Sequence, residues 1–211
     1  MKNVELINSS AEKEKIIQYC TDKFLKEGFY LVTVDQIAYD LRISKKTIYK
    51  FFATKDDLVK EVAFNMMNDT NDKMEAILKS EKDSLTKIIM LFEVMSKLVV
   101  RFSDKWLKDL QVHTPKLWQQ IDEFRVNRAF TVIGNIIQQG QMEGIIIDKP
   151  VELIIHIFVN TIRSVVHPDF LFYQKLDYKE AFVHSFEILF NGILTQKGRT
   201  KFNKIFSKVI Q

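Results

Sequence analysis

Nine residues restrict this chain more than any others. Its 211 positions hold only six glycines and three prolines, too few for the tight turns that a sheet-rich chain of this length needs. Between them run long stretches whose apolar residues recur at helical spacing, so the expected fold class is all-α. The periodicity predicts helices over residues 10–27, 34–40, 44–52, 54–79, 84–101, 103–113, 115–141, 150–166 and 178–196. Ser9 or Ser10, Thr33, Ser44 and Thr54 stand where N-caps are needed, because their oxygens can accept from unpaired first-turn amides. Gly28 suits a left-handed C-cap, Pro115 and Pro150 suit first-turn positions, and Gly144 and Pro168 suit stops.

Several function classes are disfavoured. The lone Cys20 gives no intrachain disulfide and is expected to pack on an apolar helix face. The N-terminus lacks the apolar core of a secretory signal. Val151–Val166, the most apolar run, is interrupted by Glu152, His156, Asn160 and Arg163, so no membrane partner is expected and the cytoplasm is the expected location. His113, His156, His167 and His184 have no metal-ligand spacing. With no phosphate-binding glycine loop, no HExxH and no glycine-flanked serine, an all-helical enzyme is the less favoured reading. No catalytic residue, metal or cofactor is expected.

The net charge of +4 is unevenly spread. Arg42, Lys45, Lys46, Lys50 and Lys55 occur in one acid-free stretch, and Lys197, Arg199, Lys201, Lys204 and Lys208 in another. The first stretch sits on two short helices joined by a tight turn, which describes a helix-turn-helix. Ile48 and Phe52, four apart, would pack inward with Ile37 and Leu41. Lys45, Lys46, Tyr49 and Lys50 would then face outward, where lysines neutralise phosphates and Thr47 and Tyr49 donate hydrogen bonds. Ser44 would offer the backbone amides of a helix start to a phosphate. A solvated lysine face is the plainer alternative, but the turn, the caps and the neighbouring helices all agree with the motif.

The stretch FLKEGFYLVTVDQIAYDLRISKKTIYKFFATKDDL resembles the N-terminal domain of the TetR family of bacterial transcriptional regulators. Phe24, Gly28, Thr33, Ile37, Ala38, Ser44, Tyr49, Phe52, Lys55 and Leu58 match the family pattern in order and spacing. The resemblance implies a helix-turn-helix domain over residues 1–55, or more broadly 10–70, with three helices. A larger C-terminal domain of about nine helices, residues 56–211, would bind an effector and dimerise. It also implies phosphate contacts from Thr33, Tyr49 and Lys55, and base reading from Lys45, Lys46 and Thr47. Two residues depart from the pattern: Arg42 stands where the turn usually has glycine, and Lys46 where a small residue is common.

By the same resemblance the partners are double-stranded DNA with a near-palindromic operator, a second copy of the chain and a small-molecule effector. The nearly all-round apolar helices near the C-terminus favour the second copy independently. Val151, Ile155, Phe158, Ile162, Phe182, Phe186, Leu189, Phe190 and Ile193 are the interface candidates. Phe92, Met95, Trp106, Trp118 and Phe124 are candidate effector contacts, with ordinary core packing as the alternative for each. His156, Asn160 and Arg163 form a polar stripe open to three roles: effector anchors, interface hydrogen bonds or a solvent strip. A regulator without an effector is a further alternative. The tail, with Phe202, Ile205, Phe206 and Val209 on one side, is expected to dock on the protein.

Overall fold

The computed structural model describes residues 2–206, without the side chains of residues 2–8, Ala129, Pro168 and Phe172. Among the described residues it has twelve α-helices: α1 (Lys2–Glu27), α2 (Val34–Leu41), α3 (Lys45–Phe51), α4 (Lys55–Lys79), α5 (Ser84–Val99), α6 (Asp104–His113), α7 (Pro115–Arg128), α8 (Gly134–Met142), α9 (Val151–Val165), α10 (Pro168–Gln174), α11 (Tyr178–Ile193) and α12 (Gln196–Phe206). Three precede α4 and nine run from it, as expected for the all-α class. Side-chain caps set many of the starts. Thr33, Ser44, Asp83 and Ser103 each accept from an amide in the first turn of α2, α3, α5 and α6. Thr54 and Asp57 cap α4 reciprocally, and Asp177 and Glu180 do so for α11.

The chain divides into two compact units, residues 1–69 with 101–121 and residues 70–100 with 122–211. The first holds more than the expected N-terminal domain, because α6 packs on α1. Phe24, Phe29 and Trp106 form an edge-to-face chain in its core, with ring centroids 6.2 and 5.7 Å apart. The Tyr30 amide donates to Asp109 of α6 at 2.8 Å, and the Tyr30 ring stacks on His113. Gly28 makes this approach possible. Its φ is +77°, and a Cβ there would lie 2.5 Å from Asp109 Oδ2.

The second unit is built round rings from α5, α11 and α12. Phe92 lies 5.7 Å from Phe182, 4.6 Å from Phe186 and 4.9 Å from Phe206, and Phe186 continues to Phe190 at 4.2 Å. α12 closes this core with buried Phe202 and Phe206, so the tail docks there, whereas Ile205, expected on the same side, is 39% exposed. Val209 and Lys208 lie outside the described residues. Gly198 lets α12 approach: a Cβ there would be 2.4 Å from the Ile145 carbonyl oxygen. The start of α5 is tied down by Glu143, which accepts from the Ser84 amide and hydroxyl. Burial would raise the Glu143 pKa, but these bonds and one from Gln139 outweigh it and lower it.

Three expectations need correction. α1 begins at Lys2, so Ser9 and Ser10 lie inside the helix and do not cap it. The helix expected over 115–141 carries a π-helical segment at Ala129–Ile133, between α7 and α8. Pro168 lies two residues beyond the Val166 cap of α9, as expected of a stop, and also opens α10 at its first turn; its missing amide is tolerated at a start as well as beyond an end. The interface candidates face their own unit. Ile155, Phe158, Phe182, Phe186 and Phe190 are buried in its core, and Val151, Ile162, Leu189 and Ile193 pack half-buried against it.

Candidate nucleic-acid interface

The bend between α2 and α3 is built by Arg42. Its φ and ψ of 56° and 42° place it in the left-handed region. There its amide closes on Tyr39, and the next amide, from Ile43, closes on Ala38. A non-glycine residue held left-handed costs about 1 kcal/mol, so the bend is kept by the packing on either side of it. Ile37, Ile48 and Phe52 supply that packing, each 3% exposed or less. Leu41 is half-buried beside them.

Anchoring Ile48 and Phe52 sends the intervening residues outward. Lys45, Lys46, Tyr49 and Lys50 are exposed, while Thr47 is half-buried. Ser44 accepts from the Thr47 amide at 3.0 Å, and the two hydroxyl oxygens are 2.9 Å apart. The cations differ in their commitments. Lys46 has no ion-pair partner among the described residues, whereas Lys50 lies over the Phe51 ring at 5.3 Å. Lys45 is paired with Asp35 in the first turn of α2 at 2.8 Å, and that hydrogen bond raises its pKa. Lys55 donates to the Tyr30 carbonyl at 2.9 Å, and partial burial lowers its pKa. Asp35 carries no signal in the sequence reading, because its partner lies ten residues away across the bend.

Residues 22–62 match the family model described as bacterial regulatory proteins, tetR family. In that stretch the chain carries the DNA-binding domain of the TetR family. It is a transcriptional regulator that binds DNA through its helix-turn-helix. The chain is also similar to an uncharacterised HTH-type transcriptional regulator, YvaF, of Bacillus subtilis (strain 168). The two are 20% identical over 174 residues, covering 82% of this chain and 91% of that one. Two solved structures share the fold. A transcriptional regulator from Cytophaga hutchinsonii is 20% identical, with TM-score 0.67 over 86% of this chain and 98% of its own. FadR from Bacillus subtilis, solved in complex with stearoyl-CoA, is 21% identical, with TM-score 0.62 over 85% and 98%.

The candidate effector contacts are dispersed. Phe92 is buried in the phenylalanine cluster, with Met95 against it. Trp106 is core of the first unit, packed on Phe29, and Trp118 is half-buried in that unit. Phe124 is half-buried in the second. Along the polar stripe His156 meets the edge of Phe130 at 4.9 Å. Asn160 donates back to the His156 carbonyl at 2.8 Å. Arg163 is forked onto Asp122, its Nε at 3.0 Å. Arg128, which the sequence suggests as a surface ion-pair partner beside Asp122 and Glu123, pairs instead with Glu75 and is largely buried; its Nε and Asn71 Oδ1 are buried in the second unit with no hydrogen-bond partner among the described residues. Arg128 immediately precedes the π-helical segment, a feature frequent at functional sites.

Proposed function

We propose that the protein is a homodimeric, non-enzymatic repressor of the cytoplasm, released from a near-palindromic operator by a small-molecule effector. The outward Lys45, Lys46, Tyr49 and Lys50, held over buried Ile48 and Phe52, carry the DNA half of that reading. In it α3 enters the major groove, Lys46 and Thr47 meet base edges, and Thr33, Ser44, Tyr49 and Lys50 meet phosphates. Lys55 has ammonium protons left beyond the one on Tyr30 for a further phosphate. Two copies would place their α3 helices about 34–36 Å apart, in successive major grooves.

The second copy would cover the sides of α9 and α11 that the core leaves free. Leu153 and Ile157 on α9 are 53% and 49% exposed, and Ile188 on α11 is 72% exposed. Large apolar side chains this exposed, on helices whose other large apolar residues are buried or half-buried, favour a protein partner. The effector would engage Asn71 and Arg128, whose unpaired acceptor and donor suit a ligand carrying both kinds of group. That FadR holds stearoyl-CoA supports a long, partly apolar ligand in this fold. Preferring one dimer geometry over the other, the ligand would shift the population away from DNA.

One observation favours a second reading, a regulator with no effector: the rings around Phe92 fill the core of the second unit. Thermal melting against a panel of apolar acids and their thioesters separates the two. A shift of several degrees that Arg128→Ala removes supports the effector; no shift with any compound supports the second reading.

A further inference from the structure

A negative charge stands on the face that must meet a polyanion. Asp35, in the first turn of α2, is 73% exposed at its side chain, and Lys45, in the first turn of α3, is 55% exposed. Their charged atoms are 2.8 Å apart. The helix dipole favours an acid in the first turn of α2, but that small gain does not depend on a pairing with Lys45. Thr33 already caps α2, and an exposed ion pair contributes little to stability.

The pair's chemistry matches one base pair. Asp35 Oδ1 accepts a hydrogen bond from Lys45 and Oδ2 remains an acceptor; Lys45 keeps two further N–H donors. In the major groove a carboxylate is repelled by phosphates and by the base acceptors. Cytosine N4 is the amino group it most commonly meets there, as guanine O6 and N7 are the acceptors a lysine most commonly meets.

We propose that Asp35 and Lys45 are a specificity-determining pair that reads a C·G base pair, Asp35 accepting from cytosine N4 and Lys45 donating to guanine. This rests on the DNA-binding reading above and adds a penalty: Asp35 opposes binding wherever that position lacks the amino group. Discrimination then comes partly from repulsion of wrong sites. The adjacent Lys46, with no ion-pair partner among the described residues, is not restrained in this way.

Selection from randomised duplexes, combined with anisotropy titrations on a random-sequence duplex, tests the pair in wild type, Asp35→Ala and Asp35→Asn. Wild type should fix C·G at one position in each half-site. Asp35→Ala should relax that position alone, tighten binding to random duplex about three- to tenfold, and steepen its salt dependence by about one unit as Lys45 is freed for a phosphate. Asp35→Asn should move the preference at that position towards adenine. The pair is overturned if Asp35→Ala leaves the selected motif unchanged, whatever happens to random-duplex binding. It is overturned equally if the variant loses helix content or all DNA binding, since Asp35 would then be structural. In those cases the proposed function stands. A wild type that selects no motif would remove the proposed function and the pair together.

Discussion

At the residue scale, the cations of α3 are not equivalent. Lys50 leans on Phe51 at the end of the helix, where a phosphate contact carries no sequence information. Lys50→Ala should therefore weaken binding to every duplex alike and flatten the salt slope by about one unit. Anisotropy titrations at several salt concentrations measure both effects; a loss confined to one sequence would make Lys50 a base reader. Arg42 lends itself to a stability test. Its φ of 56° is one that glycine adopts freely, so Arg42→Gly should stabilise the protein by a few tenths to about 1 kcal/mol in urea unfolding. Destabilisation would mean that the arginine side chain holds the bend. Cys20 is buried, and burial pushes its thiol up to about 12. Native protein at pH 8.5 should resist alkylation until denaturant is added; rapid labelling would contradict that burial.

At the scale of elements, what the sequence revealed was what is local. Thr33, Ser44 and Thr54 each bond amides within three residues, so reading along the chain locates α2, α3 and α4. Periodicity likewise identified Ile48 and Phe52 as the buried side of α3. It failed where two sides of a helix are apolar. On α9, spacing alone does not distinguish Ile155, which is buried, from Ile157, which is 49% exposed, because the packing of neighbouring helices decides it. The place of α6 was equally hidden, since the bond from Tyr30 to Asp109 spans 79 residues. The same distinction sorts two substitutions. Phe186→Ala should cost about 3–5 kcal/mol of stability, because Phe186 packs on Phe92 and Phe190. Ile157→Asp with Ile188→Asp should leave helix content intact and give monomers by sedimentation. Dimers that persist would place the interface elsewhere.

For the whole molecule, the proposed regulator takes its affinity from charge and its choice of site from a few residues around one bend. Salt should weaken specific and non-specific binding alike, whereas changes at base-reading positions should alter only the choice of site. The effector and dimer proposals belong to the second unit. Either can fail without touching that claim, which rests on Ile48 and Phe52 beneath α3.

Its most direct test is selection from randomised duplexes, run in parallel on wild type and on Lys46→Ala. Wild type should converge on a two-fold motif with half-sites about one helical turn, or a multiple of it, apart. The variant should converge on a motif altered at matching positions of both halves. Identical motifs would contradict the base-reading role of Lys46, and no motif from the wild-type protein would contradict the account as a whole.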